Sequence, residues 1–307
     1  MADADAAQTA CRHVEALACG SKLLFVVDLS SRASQAFVGD AFSFEMALSL
    51  LPLAQQLSVR NKRLFRAQTN ALANQMLRLF VVLLLLLQQH RRPSLSSLLA
   101  GFSSNAHGKP IYPSLPYCFN LSNSCNASSN LCSMVVANTP ANQIGVDLAH
   151  SHDISSTNDL LAEFESIFHP HEYSHIQKYL AQTGSAAINN SVLLAQFWAL
   201  KESLSKLIGT GLVNIDLSSY HFSFDIDHFN QLAPSQLNTD HWFTEITLFA
   251  QAKKLDYSIY LKQIQKDLYC SVIHENSSSS VSANSSDNIK IINVGLEEMF
   301  SVLSHYK

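Results

Sequence analysis

The alternation of apolar and polar positions predicts a long amphipathic helix over residues 193–208. Apolar side chains recur there at three- and four-residue spacing, so they form one face of a helix with about 3.6 residues per turn. Trp198, Glu202 and Lys206 follow at four-residue steps and form a second stripe. On its own, a Glu–Lys pair at this spacing indicates a surface ion pair, which contributes about 0.3–0.5 kcal/mol. Residues further upstream favour a second interpretation.

A second long helix is predicted over residues 58–89. Its strongly apolar run 77–87 has 11 residues, too few to cross a bilayer that needs about 20, so a buried helix is expected. The polar start of this helix carries four basic side chains, Arg60, Lys62, Arg63 and Arg66. Two interpretations are open for this cluster. It is either a solvated helix face or a phosphate-binding patch, in which Arg supplies permanently charged, bidentate donors.

Short apolar runs bounded by polar residues predict four strands before residue 150: 23–29, 117–124, 131–137 and 142–149. Successive side chains of a strand point to opposite faces, so Asp147 shares a face with Gly145 and Ala149. The small neighbours leave room for a ligand beside the carboxylate. The alternative, a strand-end Asp that caps a neighbouring turn, stays open.

Between residues 150 and 182 the sequence is rich in histidine. Two short helices are predicted over 159–166 and 171–182, with a break before His171. The histidines are His150, His152, His169, His171 and His175. His171 and His175 are four residues apart and can share a helix face, as zinc ligands do. Because no third ligand follows at a fixed spacing, surface histidines are favoured over a zinc hydrolase.

The strand pattern continues after residue 208, at 216–225, 242–249, 269–273 and 289–294, with a low-complexity loop at 276–288 and a final helix over 296–305. Each half of the chain combines a long helix with several strands of antiparallel type. The sequence therefore predicts an α+β fold of two similar α/β halves, 1–140 and 141–307. We expect a pseudo-two-fold relation between them, each half being a small, mostly antiparallel sheet packed on a long helix.

Composition and charge exclude several classes of partner. The 307 residues are 47% hydrophobic and 14% charged, with a net charge of −4 and a pI near 6.3, so no overall field favours nucleic acid or an anionic membrane. Six cysteines lack metal-site spacing and are expected to be reduced structural thiols. The acidic start of the chain does not have the pattern of a signal peptide, so a cytoplasmic location is expected.

The candidate chemistry gathers at three charged residues. Asp147 and Glu202 lie 55 residues apart, at a strand and on a helix. Hard cations such as Mg2+ are held by a few carboxylate oxygens together with water and substrate phosphates. Lys206, one turn from Glu202, could neutralise phosphate charge. Since no glycine-rich phosphate loop is present in the sequence, the pattern favours phosphoryl chemistry on a diphosphate held in another way.

These motifs, taken in order, resemble 4′-phosphopantetheinyl transferases of the larger, monomeric type. The matching sequences are Gly-Val-Asp at 145–147 and Trp-Ala-Leu-Lys-Glu-Ser at 198–203 with Lys206. Gly-Lys-Pro at 108–110 and Phe-Asn-Leu-Ser at 119–122 correspond to intervening motifs of the family, and 165–172 to the segment before the lysine-bearing helix. The resemblance covers roughly 60–213 and is nearest to eukaryotic members that activate aminoadipate reductase for lysine synthesis.

The resemblance implies a holo-[acyl-carrier-protein] synthase activity. Such an enzyme moves phosphopantetheine from coenzyme A to a serine of an apo carrier protein: acyl, peptidyl or aminoadipate-reductase. Carried over, Asp147 and Glu202 hold Mg2+ in the C-terminal half, and Glu202, or a water that it orients, takes the serine proton. Lys206 stabilises the attacked phosphate and Lys201 assists, so that both lysines contact coenzyme A. The resemblance also implies a monomer.

The resemblance also places coenzyme A contacts in the N-terminal half. Arg66 and Lys109 would hold the 3′-phosphate or diphosphate, and Ser122 and Asn123 would contribute further contacts.

Two positions depart from the family pattern. Many members carry a second acid two residues after the strand aspartate, where this chain has Ala149, and an alanine cannot bind a metal. A histidine usually follows the Phe-Asn-x-Ser motif, where this chain has Asn123, and an amide does not supply an imidazolium charge. These departures motivate an alternative hypothesis, a non-catalytic relative that binds coenzyme A or carrier proteins.

Overall fold

The structure is a computed structural model of the chain. It describes residues 22–138, 143–154, 160–183, 190–237, 239–276 and 288–307. Three predictions therefore concern residues outside the described ranges. They are those for the start of the chain, for Cys11 and Cys19, and for most of the loop 276–288. Among the described residues, no disulfide bond joins Cys118, Cys125, Cys132 and Cys270 to one another.

Ten α-helices lie in the described ranges. In chain order they are α1 (Arg32–Gly39), α2 (Ala41–Leu48), α3 (Leu53–Arg60), α4 (Phe65–Gln88), α5 (Leu95–Ala100), α6 (Leu160–Glu163), α7 (Pro170–Thr183), α8 (Asn190–Ile208), α9 (Ile226–Gln236) and α10 (Leu296–Ser304).

Twelve strands accompany them in the same part of the chain. They are β1 (Lys22–Asp28), β2 (Ser103–Ser104), β3 (Pro110–Ile111), β4 (Cys118–Cys125), β5 (Asn130–Ala137), β6 (Ile144–His150), β7 (Tyr220–Ser223), β8 (Thr247–Ala250), β9 (Lys253–Lys254), β10 (Tyr257–Gln265), β11 (Leu268–Glu275) and β12 (Ile289–Asn293). The mixture confirms the predicted α+β class.

The chain folds into two compact units. Of the described residues, 22–105, 110–138 and 288–307 form unit 1, while 106–109 and those from 143 to 276 form unit 2. Unit 1 gives way to the main part of unit 2 between residues 138 and 143. The prediction that the C-terminal half extends to residue 307 is wrong. β12 pairs in parallel with β1, so the last strand returns to unit 1.

Unit 1 is a four-stranded sheet packed on one long helix. Its strand order is β12-β1-β5-β4, antiparallel except for the β1–β12 pair. Helix α4 packs against β1, β4 and β5, and α10 packs on α4. The burial follows from the apolar run 77–87, since 79–86 of α4 are all buried in the core.

The boundaries of α4 differ from the sequence prediction. The helix begins at Phe65 instead of residue 58, because Ser58–Arg60 end the separate helix α3 and residues 61–64 are not helical. The predicted basic cluster is therefore divided between two helices and the turn that joins them. At 24 residues α4 is long and apolar enough to cross a membrane, but 72% of its apolar window is buried in the protein. It has the character of a core helix.

Unit 2 repeats the combination of a small antiparallel sheet and a long helix. The sheet has the order β10-β11-β6, and α8 packs on β6 and β11. The hydroxyls of Ser203 on α8 and Ser271 on β11 are 2.9 Å apart and hydrogen-bond across this interface. A second sheet, β7-β8-β9, completes the unit.

Gly145 explains how α8 can lie so close to β6. A Cβ atom placed on Gly145 would be 2.0 Å from the carbonyl oxygen of Ser203 and 2.6 Å from the amide nitrogen of Leu207. Both are backbone atoms of α8, which cannot move aside as a flexible side chain does. The small residue beside Asp147 therefore makes room for a helix, and the sequence-based expectation of open space for a ligand there is corrected.

We predict that Gly145→Ala destabilises the protein strongly. Overpacking typically costs about 1–3 kcal/mol, and a clash with backbone should reach at least about 3 kcal/mol in the free energy of unfolding, as measured by urea denaturation. Gly39→Ala is the matched control, because no atom lies within 4 Å of a Cβ built there. A Gly145→Ala protein as stable as this control would contradict the close packing.

Candidate active site

Strand β6 and helix α8 bring the three predicted catalytic residues together. Asp147 points towards α8 and is 5% exposed. The ammonium nitrogen of Lys206 lies 2.6 Å from Oδ1 of Asp147, and the side chain of Lys206 keeps 29% of its surface exposed. Lys206 thus forms an ion pair with the strand aspartate. Glu202 lies one helical turn from Lys206 on the same helix. The result is a half-buried group of two carboxylates and one ammonium.

Glu202 has a raised pKa. Burial is the largest cause and the charge of Asp147 the second; together, against the opposing charge of Lys206, they raise the pKa of Glu202 to about 7. A carboxyl with this pKa exchanges a proton readily near neutral pH, which is what a general base requires. The same environment favours a cation, because a positive charge beside two neighbouring carboxylates relieves their repulsion.

Lys201 precedes Glu202 in sequence but faces the interior. Its side chain is completely buried, and its ammonium donates to three oxygens. The partners are Oε2 of Glu172 at 2.6 Å and the carbonyls of Leu217 and Tyr220 at 3.0 and 2.6 Å. With every donor used inside the protein, Lys201 has a structural role. The predicted contact of Lys201 with coenzyme A is not supported by this position.

Glu172 joins α7, β7 and α8. Its Oε2 accepts the backbone N–H of His169 at the start of α7, and its Oε1 accepts the N–H of Phe222 in β7. The ring of His169 in turn accepts the N–H of His171 through Nδ1. Both contacts cap the start of the helix, with Pro170 at the first helical position. The predicted break before His171 is therefore the start of a capped helix.

Lys109 also has a structural position. Its ammonium donates to the carbonyls of Lys206 and Leu207, at 2.8 and 3.3 Å, and to that of Ile144 at 3.0 Å. Carbonyls at the end of a helix lack intrahelical partners, and a lysine there satisfies them. Gly108 before it has φ +85°, a left-handed conformation that glycine adopts readily. The predicted coenzyme A contact of Lys109 is replaced by a clamp between α8 and β6.

Arg66 lies in unit 1, at the start of α4, and lines a cavity. Its guanidinium donates to the carbonyls of Ser129 and Ala127, at 2.8 and 3.4 Å. The buried Nε has no hydrogen-bond partner among the described residues. The cavity has a volume of about 400 Å3, and its polar lining includes Ser30, Gln35, Thr69 and Asn130. One donor of Arg66 is thus left available beside a polar cavity.

Ser122 and Asn123 are neighbours in β4 with opposite orientations. Ser122 is 4% exposed, whereas Asn123 is exposed and its Oδ1 lies 3.5 Å from the amide nitrogen of Asn74 on α4. Of these two predicted contacts, only Asn123 faces solvent.

The histidines form two groups instead of one centre. His150 and His152 have ring centroids 4.8 Å apart, and His169, His171 and His221 form a second group. In the part of the chain that the structure describes, no three His, Cys, Asp or Glu side chains are arranged to hold a metal ion. The zinc hydrolase hypothesis is therefore unsupported by the arrangement, and the candidate Mg2+ site has two acids.

One segment of the chain is similar to a known protein family. Residues 143–270 match the model of the 4′-phosphopantetheinyl transferase superfamily, a range that contains Asp147, Glu202 and Lys206. The resemblance predicted from the sequence is confirmed over this segment, which spans less than half of the chain. The enzyme class, a transferase, is confirmed with it.

The relatives are named for carrier-protein modification. The chain is 29% identical over 199 residues to the L-aminoadipate-semialdehyde dehydrogenase-phosphopantetheinyl transferase of Candida glabrata, which covers 64% of this chain and 69% of the relative. It is 27% identical over 205 residues to the protein of the same name from Saccharomyces cerevisiae, covering 65% and 66%. A holo-[acyl-carrier-protein] synthase of Campylobacter lari is 37% identical over 51 residues, 17% of this chain and 44% of the relative.

We predict that breaking the Lys201–Glu172 pair is strongly destabilising. Glu172→Gln and Lys201→Met should each lower the free energy of unfolding by about 3–5 kcal/mol, because each leaves an uncompensated buried charge. The exposed pair of Arg60 and Glu45 is the control, and Arg60→Ala should cost only about 0–1 kcal/mol. Urea denaturation measures all three. Equal costs for the buried and exposed pairs would contradict the structural role of Lys201.

We also predict an unusual pH dependence from Glu202. With its folded pKa near 7 and an ordinary value of 4.5, the folded protein binds more protons than the unfolded chain between these pH values. The stabilising contribution is present below pH 4.5 and is lost as the pH rises through 7. Glu202→Gln should therefore lose less stability than the wild type between pH 5 and 8, while the exposed control Glu297→Gln behaves as wild type. Titration of Glu202 at or below pH 4.5 by NMR would refute this.

Proposed function

We propose that this protein transfers the 4′-phosphopantetheine group of coenzyme A to a serine of an apo carrier protein and releases adenosine 3′,5′-bisphosphate. The observation that carries the proposal is the group formed by Asp147, Glu202 and Lys206, inside the segment that matches the transferase superfamily. Two acids beside a lysine suit phosphoryl transfer, where positioning and charge stabilisation supply most of the catalysis.

The two carboxylates have the donor chemistry that Mg2+ requires. Asp147 and Glu202 supply carboxylate oxygens, and the pKa of Glu202 is raised first by burial and then by the charge of Asp147. Ala149, the neighbouring position on the same face of β6, offers no ligand, so water and substrate oxygens would complete the coordination. When bound, Mg2+ would neutralise charge on the diphosphate of coenzyme A.

Three side chains of the protein carry out the remaining catalytic roles. Glu202, or a water that it orients, takes the proton of the carrier serine as the serine oxygen attacks the phosphorus. Lys206, which is partly exposed, places its ammonium where it stabilises the negative charge of the attacked phosphate. Asp147 holds Lys206 in this orientation through the 2.6 Å ion pair.

For coenzyme A binding, we assign the 3′-phosphate to Arg66 and a supporting contact to Asn123. The unpartnered Nε of Arg66 and the polar cavity beside it support this choice. Ser122 is buried in β4 and is a weaker candidate for direct contact.

The names of the yeast relatives support aminoadipate reductase of lysine biosynthesis as the carrier-bearing partner. The further elements of the proposal are a monomer, a cytoplasmic location and a pseudo-two-fold relation between the units, all of which stay predictions.

We predict that the full chain, with coenzyme A and Mg2+, adds one phosphopantetheine group to a serine of an apo carrier domain, as measured by intact mass spectrometry. Glu202→Ala should reduce the rate at least about 100-fold, the lower range for loss of a general base. Asp147→Ala should also reduce the rate strongly, because it removes a metal ligand and the partner of Lys206. Chelation of the metal should stop the reaction, and added Mg2+ should restore it. Glu297→Ala, at an exposed position in unit 1, is the control with unchanged activity.

The carriers tested should include acyl, peptidyl and aminoadipate-reductase domains. No mass gain with any of them would contradict the proposal. Ala149 and Asn123 favour one alternative, a non-catalytic relative that binds coenzyme A or carriers. Calorimetry that detects coenzyme A binding by a protein without turnover would support that alternative.

A further inference from the structure

Three histidine rings pack against one another beside the start of α7. The ring centroids of His169 and His171 are 5.1 Å apart, and the ring of His221 on β7 lies 4.8 and 5.7 Å from them. We call these three rings the imidazole cluster. His221 also stacks on Phe249 of β8, with centroids 4.7 Å apart and planes 9° apart. The cluster therefore connects α7 to the sheet β7-β8-β9 through rings that can each take up a proton.

One ring of the cluster caps the start of α7 and must be neutral to do so. Nδ1 of His169 accepts the backbone N–H of His171 at a distance of 3.1 Å. A ring nitrogen accepts a hydrogen bond only when it carries no proton, and a protonated imidazole has a proton on both nitrogens. Protonation of His169 thus turns this acceptor into a donor, and the N–H of His171 loses its cap.

The surroundings of the cluster oppose protonation. Burial is the largest cause, and the neighbouring rings and the ammonium of Lys201 add to it, so the pKa values of His169 and His221 lie below the ordinary 6.5. The folded protein therefore binds fewer protons than the unfolded chain just below this pH. The stability that the neutral cluster provides is complete above pH 6.5 and is lost as the pH falls below it.

The other charged groups of this region are already engaged. Glu172 of α7 pairs with Lys201 of α8 at 2.6 Å, and Asp216 acts on the same lysine. Lys254 of β9 is in register with Phe249. Both acids thus act on a cation that is already in place, and a proton on the cluster adds positive charge to the region.

Solvent reaches the cluster without unfolding of the protein. His171 is exposed, and it lines a cavity of about 350 Å3 together with His175 and His221. Protons can therefore exchange with the rings in the native state.

The cluster is connected to the candidate active site through two contacts. The backbone N–H of His169 donates to Oε2 of Glu172, and the same oxygen lies 2.6 Å from the ammonium of Lys201. Lys201 directly precedes Glu202 on α8. A change at the start of α7 therefore acts on the residue that sets the rotation of α8.

We propose that the imidazole cluster is a pH-sensitive switch that loosens the candidate active site in mildly acidic solution. A proton on His169 releases the N–H of His171, and like charges in the cluster then favour unwinding of the first turn of α7. Glu172 lies on that turn, so the support that it gives to Lys201 is weakened. The proposal does not depend on the proposed catalytic function, because its readouts are structural.

The test compares the full chain at pH 7.5 and 5.0 by hydrogen–deuterium exchange, corrected for the intrinsic effect of pH on exchange. Peptides that cover 169–176 and 220–223 should exchange at least about 10-fold faster at pH 5.0, whereas a peptide from α10 in unit 1 should change less than about 2-fold. NMR titration of the histidine rings should place the midpoint of this response below pH 6.5.

Variants separate the charge of the cluster from its contacts. His169→Asn/His221→Phe keeps an uncharged acceptor at the cap and an aromatic ring on Phe249, so the acid response should fall below about 2-fold. His169→Ala removes the acceptor and should show rapid exchange of α7 already at pH 7.5. His305→Asn, at an exposed position in unit 1, is the matched control and should respond as the wild type.

Three results would overturn the proposal. They are equal exchange of the wild type at the two pH values, an undiminished response in His169→Asn/His221→Phe, and a midpoint of about pH 4, which would assign the response to carboxyl groups. Circular dichroism checks that each variant is folded. The ring titration and the exchange of the wild type need no substitution, so they decide the question even where a variant fails to fold.

Discussion

The buried ion pair of Lys201 and Glu172 is the interaction on which the candidate active site depends. It connects the cap of α7, the strand β7 and the middle of α8 through one carboxylate and one ammonium, with no surface left to solvent. Removing either partner would leave a bare charge in the core, so the pair fixes these elements in a single arrangement. Because Glu202 follows Lys201 directly, the rotation of α8 that buries the lysine turns the glutamate towards Asp147.

Three lysines near this helix have separate tasks, although the motif alone makes them look alike. Lys201 and Lys109 satisfy backbone carbonyls inside unit 2, and only Lys206 combines a carboxylate partner with exposure to solvent. A compact ammonium on a flexible stem suits all of these roles, since its three donors adapt to carbonyls or carboxylates. Two of these lysines therefore stabilise the packing of the helix, and one is available for the proposed chemistry.

Local patterns predicted most of the site, and non-local contacts account for what was missed. The two-residue alternation of β6 placed Asp147 on the face of Gly145, and the four-residue spacing of α8 placed Glu202 beside Lys206; both are confirmed. The roles of Lys201 and Lys109 depend on carbonyl oxygens far away in sequence, for which no side-chain pattern exists. The parallel pairing of β12 with β1 likewise has no local signal.

The return of β12 to unit 1 has a consequence for how the protein is made. Strand β1 is synthesised early, but its parallel neighbour emerges from the ribosome only after residue 288. The strands β6, β10 and β11 and the helix α8 all precede that point, so the sheet carrying Asp147 has all its strands while β1 still has an open edge. An unpaired edge invites wrong pairing with other chains. Along the chain, unit 2 is thus in effect an insertion in unit 1, and unit 1 is the last to be completed.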